Sequence, residues 1–284
     1  VGSSPRPSHR PGPAKGGTQL VDDAAAAVAA AGVRDALECV FDAVTEIRAD
    51  TLALLAGASA EDRQPTTTDL AGLRPGLKER LARLALMSGA GFVAAPGLLA
   101  DAEVWLEWWQ TGPGGEVRPL LLDLDPQHSA YSDYTHWEWY ALARDTGQRA
   151  VAGPYVDYLC SDEYSLTLSM PVTLDGRFTG VAAADVYLPD FEAAVMPVLQ
   201  RLPGPACLVN SRGRVAVSTY ADHLAGSLLK GPDFTAVPAA PADGGGAAGE
   251  SGGPGTGEPG PHVQEGLALR ACGDIPLILV TGED

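Results

Sequence analysis

The chain has 284 residues, of which 45% are hydrophobic, ample for the core of one large domain or two small ones. Asp and Glu outnumber Lys and Arg by 36 to 19, a formal charge of −17, which argues against nucleic acid as a partner, disfavours an anionic membrane surface and favours cationic small ligands. Cys39, Cys160, Cys207 and Cys272 lie far apart with no C-x-x-C pair, so zinc and dithiol redox chemistry are disfavoured and the four read mostly as buried free thiols.

Residues 1–18 are polar and proline-rich and read as a disordered arm rather than a secretory leader. The expected compartment is therefore the cytoplasm, or outside it if the N-terminus is truncated. Residues 19–88 read as N-terminal helices. Apolar positions recur at helical spacing through Val33, Leu37, Val40, Phe41, Val44, Ile47, Leu52 and Leu55, with Gly32 as a point of division. Thr68 is expected to cap the next helix and Pro75 to restart it through Leu77, Leu81 and Leu84. The stretch from Leu81 to Ala100 is apolar, but Arg83, several glycines and Pro96 make it a poor membrane span.

Strand character begins at Gly89 and continues in V-W-L-E-W-W-Q (104–110) and P-L-L-L-D-L-D-P (119–126). Alternation puts Trp105 and Trp109 on one face and Trp108 on the other, with core packing as the expected role. Past an aromatic-rich segment at 131–140, strands are expected at Tyr155–Leu159, Ser165–Val172 and Thr179–Leu188, the last two joined by an Asp175-Gly176 hairpin turn. Pro189-Asp190 opens a helix to Leu202. Cys207–Asn210 and Arg214–Ser218 flank a second hairpin, and Glu265–Ala271 and Leu277–Thr281 are strand-like. Residues 232–262, dominated by Gly, Ala and Pro, read as a disordered loop. The core spans 89–202; 203–231 and 263–284 either complete its sheet or form a degenerate second module. The fold class is α+β, a long N-terminal helix packed on an antiparallel sheet.

Four pieces then carry a resemblance: W-E-W-Y at 137–140, P-Y-V-D at 154–157, T-L-S-M-P-V at 167–172 and G-R-F-T-G-V-A-A-A-D at 176–185. In this order and spacing they resemble the Cache family, the PAS-like small-molecule sensor domains, over about Gly89 to Thr219. The resemblance implies a PAS-like sheet with a ligand pocket, and signalling to a separate partner. In amine- and amino-acid-binding members an aromatic and two acidic positions grip the ligand's ammonium group. Those positions fall on Tyr155, Asp157 and Asp185, with Trp139 and Tyr140 closing the pocket. Where those members carry an arginine that holds a ligand carboxylate, this chain has Trp137. An indole forms no bidentate charged pair but offers a π face to a cation. The implied ligand is an amine without a carboxylate, such as a quaternary ammonium or a polyamine.

Each residue has a structural alternative. Asp157 and Asp185 could accept backbone N–H bonds or pair with Arg144, Arg149 or Arg177, and Trp137, Trp139 and Tyr140 could be core aromatics. Asp123 and Asp125 share a side at a spacing that suits a divalent ion, but Asp125-Pro126 favours a turn. His128 and His136 lack a partner at metal-ligand spacing. No nucleophile elbow, phosphate loop or dinucleotide fingerprint occurs in the sequence, so no catalytic residue, metal or cofactor is expected. Two rival functions remain: acid–base catalysis by the Asp157–Asp185 pair, and an interaction module without a ligand. Any homodimer would use the N-terminal stripe of Val33, Leu37, Val40, Val44 and Ile47.

Overall fold

The computed structural model describes residues 15–112, 114–125, 127–128, 132–158, 163–237, 261–264 and 266–282. Helix α1 runs unbroken over Lys15–Ala60, so residues 15–18 belong to it and not to an arm. Its stripe of Val33, Leu37, Val40, Val44 and Ile47 is fully buried against the sheets and helix α5 (Leu188–Leu199) of the same chain. The chain covers its own stripe, which leaves no free apolar surface there for a dimer. Gly32 does not divide α1. A Cβ at that position would lie 3.2 Å from Val198 Cγ1, so glycine lets α1 and α5 approach closely. Helix α2 (Thr67–Leu70) is capped by Thr66 rather than Thr68: the Asp69 carboxylate accepts from Thr66 N and Oγ1, both at 2.8 Å. Helix α3 (Arg74–Arg83) carries Pro75 in its first turn, where the missing N–H costs nothing.

Strands β1 (Gly89–Ala94), β2 (Leu106–Thr111), β3 (Val117–Pro119), β4 (Ala150–Val156), β5 (Tyr164–Leu174) and β6 (Arg177–Tyr187) form an antiparallel sheet in the order β3-β2-β1-β6-β5-β4. Asp175 and Gly176 turn β5 into β6 with φ of 51° and 77°, as a two-residue hairpin requires. Alternation then separates the faces. Phe92, Leu166, Leu168, Ala182, Ala184 and Val186 pack toward α1. The other face holds Gly89, Gly91, Thr167, Ser169, Ala183 and Asp185, small residues that leave room for Tyr134 and for Trp139 and Tyr140 of helix α4 (Glu138–Thr146). Ser169 Oγ fastens that helix by donating to Trp139 O at 2.9 Å.

The remaining strands, β7 (Ala206–Asn210), β8 (Val215–Ser218), β9 (His262–Gln264), β10 (Leu267–Cys272) and β11 (Ile275–Thr281), build a second sheet in the order β8-β7-β11-β10-β9. They do not extend the first. Arg149 ties the parts together: it binds Glu38 of α1 at 2.7 and 2.9 Å, Asp274 between β10 and β11, and lies over the Phe41 ring. Asn210 Nδ2 donates to Gly153 O at 2.9 Å, and Arg212 pairs with Glu138 at 2.9 Å.

Three further expectations change. Residues 120–125 are not a strand: Asp123 and Asp125 accept backbone N–H bonds two residues on, from Asp125 and Gln127, a local arrangement that competes with strand pairing. The Asp123–Asp125 pair is thus a turn, closed by His128 Nδ1 at 3.0 Å, and no metal-holding group occurs among the described residues. In the 232–262 segment, Asp233 caps a short helical turn and Phe234 is buried in the second sheet's core; residues 238–260 lie outside the described ones. Cys207 and Cys272 are buried as expected, but Cys39 is exposed, and Cys160 lies outside the described residues.

Candidate ligand-binding site

The site is aimed by an irregularity in β4. Ala152 pairs with Thr167 and Tyr155 with Ser165, so three steps along β4 answer two along β5. The extra residue falls at Gly153-Pro154. Gly153 has φ +112°, and a Cβ there would lie 2.6 Å from the Ser165 carbonyl oxygen, so glycine is required. The bulge resets the alternation, and Tyr155 comes to the same face as Ala152. Asp157 follows two residues later, its N–H donating to Glu163 O at 2.9 Å.

Asp185 stands on β6 between Gly89 of β1 and Thr167 of β5. Thr167 Oγ1 donates to Asp185 Oδ1 at 2.6 Å, and the Tyr155 hydroxyl lies 2.5 Å from the same Thr167 oxygen. Thr167 has one hydroxyl proton and spends it on Asp185, so Tyr155 is the donor in the other bond. The three form a directed chain ending on the carboxylate. Burial pushes the Asp185 carboxyl up to about 7; the Thr167 bond opposes that shift and the charge of Asp157 adds to it.

Above these groups lies a cavity of about 340 Å³, within the range of small-molecule sites. The rings of Trp108, Trp137, Trp139 and Tyr155 wall it, with Leu106 and Leu120, and three carboxylates, Glu138, Asp157 and Asp185, reach it. Among the described residues no lysine or arginine lines it. Trp137 precedes α4 and packs on Trp139 with ring centroids 5.6 Å apart.

Five of the six residues singled out in the sequence thus meet at one cavity: Trp137, Trp139, Tyr155, Asp157 and Asp185. Tyr140 does not. Successive helix positions diverge by about 100°, so Trp139 faces the cavity while Tyr140 is driven into the core, edge-on to Tyr134 and Phe178 at 5.5 and 5.9 Å. Its hydroxyl has no partner among the described residues, and burial raises its pKa. Arg144 is engaged by Asp145, and Arg149 by Glu38 and Asp274, which removes two of the arginines considered as partners for Asp157 and Asp185. Trp108, Glu138, Leu106 and Leu120 were not foreseen as lining residues. Strand alternation had set Trp108 apart from Trp105 and Trp109, the signal that finds it.

Residues 118–193 match a family model described as methyl-accepting chemotaxis protein-like, first PDC sensor domain. That segment holds the five site residues named above. Among solved structures the chain is similar to one described as methyl-accepting chemotaxis protein X, at 16% identity and TM-score 0.57, covering 95% of this chain and 100% of that one. It is also similar to the ligand-binding domain of the Pseudomonas fluorescens chemoreceptor CtaA in complex with L-valine, at 11% identity and TM-score 0.56, over 95% and 99% of the two chains. A third is the extracellular domain of soHK1S-Z6, at 15% identity and TM-score 0.55, over 93% and 94%. The chain has the PDC/Cache sensor-domain fold. No curated protein matches it. Among the described residues no helix is long and apolar enough to cross a membrane.

Proposed function

We propose that this chain is the sensor domain of a chemoreceptor-type signalling protein and that its first-sheet cavity binds a small cationic amine. One observation carries the reading: Asp185, buried beneath aromatic rings with Asp157 beside it, faces a cavity that no described lysine or arginine lines. A carboxylate withdrawn from water is stable as an anion only when met by positive charge or N–H donors. An ammonium group supplies both, and the surrounding rings add about 0.5–2 kcal/mol of cation–π attraction.

L-valine in CtaA also presents an ammonium group. Here the acidic lining, and Trp137 where an arginine would hold a carboxylate, favour an amine without a free carboxylate. Occupancy would reach a separate signalling partner through the second sheet, which touches the pocket's supports at Arg212–Glu138 and Asn210–Gly153. The similarity to the extracellular domain of soHK1S-Z6 supports a place outside the cytoplasm in preference to the cytoplasmic expectation. A thermal-shift screen across amines and carboxylates, followed by calorimetric titration, tests the function. Amines should raise the melting temperature, because a ligand of the native state stabilises it. Clear shifts with organic acids and none with any amine would refute the proposal.

A further inference from the structure

We propose that Trp108 determines specificity in this cavity, its indole N–H donating to a neutral acceptor on the ligand, so that amino alcohols and amino amides bind in preference to plain alkylamines. The inference rests on the amine reading above. Trp108 is 4% exposed and lines the cavity, and its Nε1 has no hydrogen-bond partner among the described residues. A buried donor left unpaired carries its full desolvation cost.

The position of that donor is informative. Trp108 lies opposite Gly91 on β2, and its indole reaches over Gly89. The point that a Cβ on Gly89 would occupy is 3.0 Å from Trp108 Nε1 and 3.3 Å from Asp185 Oδ2. The unused donor and the buried carboxylate therefore converge over Gly89, on the face of the sheet that carries the cavity, unbonded to each other. In the proposed mode, a ligand whose ammonium group meets Asp185 turns its neighbouring substituent toward the indole N–H, which lies on the same side of Gly89. Satisfying that N–H takes an acceptor. The acceptor must also be neutral, because Asp157 and Asp185 would repel an anion, Arg212 beside Glu138 is engaged by that carboxylate, and no described lining residue carries positive charge to balance one. A hydroxyl or amide carbonyl close to the amine nitrogen meets both conditions.

Calorimetric titration of the wild-type protein with 2-aminoethanol and n-propylamine, which differ by a hydroxyl for a methyl, tests the inference, with glycinamide against glycine as a second pair. The alcohol should bind about five- to tenfold more tightly than the alkylamine, the worth of one hydrogen bond, and glycinamide more tightly than glycine. Trp108→Phe, which keeps an aromatic wall and removes the donor, should erase the alcohol's advantage while leaving n-propylamine within about twofold. Equal binding of the two amines by the wild type overturns the role of Trp108 and leaves the amine reading standing, whether or not the variant folds. Tighter binding of glycine than of glycinamide overturns the neutral-acceptor requirement. Binding of neither amine nor glycinamide overturns the amine reading and this inference together.

Discussion

Asp185→Asn separates a ligand carboxylate from a structural one, because the two roles depend on pH in different ways. Burial raises the wild-type carboxyl from 3.8 to about 7, so between those values the folded protein holds a proton that the unfolded chain has released. Its contribution to stability is fully present below about pH 4 and is lost as pH rises through 7. Three pK units correspond to at most about 4 kcal/mol lost by pH 8, a ceiling because the carboxyl also borders the cavity. Asparagine cannot ionise, and its carbonyl still accepts from Thr167. The ligand-free variant should therefore melt up to about 7 °C above the wild type at pH 8, with the difference closing toward pH 4. Any cost of the extra amide N–H is the same at every pH and cancels from that trend. An amine should bind the wild type with release of a proton, its affinity rising about tenfold per pH unit up to about 7. The variant should lose about ten- to a hundredfold in amine affinity, the worth of a charge-assisted hydrogen bond. Melting curves from pH 4 to 8 and titrations in two buffers of different ionisation enthalpy read both effects. Parallel melting curves would refute the buried-acid argument, and unchanged amine affinity would end the clamp.

Gly89→Ala puts a methyl group 3.0 Å from Trp108 Nε1 and 3.3 Å from Asp185 Oδ2; calorimetry should show amine affinity falling about tenfold with a smaller effect on folding, and wild-type affinity would place the ligand elsewhere. Arg149→Met leaves Glu38 and Asp274 without their cation, and urea unfolding should show a loss of about 2 kcal/mol; no loss would mean that the link between α1 and the second sheet is not stabilising. Leu37→Ala should cost about 2–5 kcal/mol through an unfilled core volume with no change in molecular mass by light scattering, whereas dissociation of an oligomer at unchanged stability would put the α1 stripe in an interface.

The local rules of the chain were legible where one physical cause dominated. Asp175-Gly176 needed positive φ twice and formed the turn. The α1 stripe followed from periodicity, but its continuity through Gly32 did not, because propensity marks glycine as a break while contact with Val198 gives it a tertiary purpose. Asp123 and Asp125 failed as strand residues for a related reason: their carboxylates found backbone N–H groups nearer than any neighbouring strand. The candidate site shows the same division. Asp157 and Asp185 were conspicuous as acids among apolar strand residues, and Tyr155 stood beside one of them. Their convergence depends on the Gly153 bulge, without which Tyr155 and Asp157 would face away from Asp185. Tyr140 was misplaced because adjacent aromatic letters look equivalent in sequence while a helix sends them in different directions. Trp108 is the converse case. Alternation had already put it on the face opposite Trp105 and Trp109, but which face holds a cavity is set by packing across the sheet. There Gly89 and Ala183 are small enough for the large rings to lie over the sheet, and the indole N–H and the Asp185 carboxylate converge over Gly89. Small residues on one face of a sheet, beside a cluster of tryptophans and buried acids, therefore say more about a pocket than any of those residues says alone.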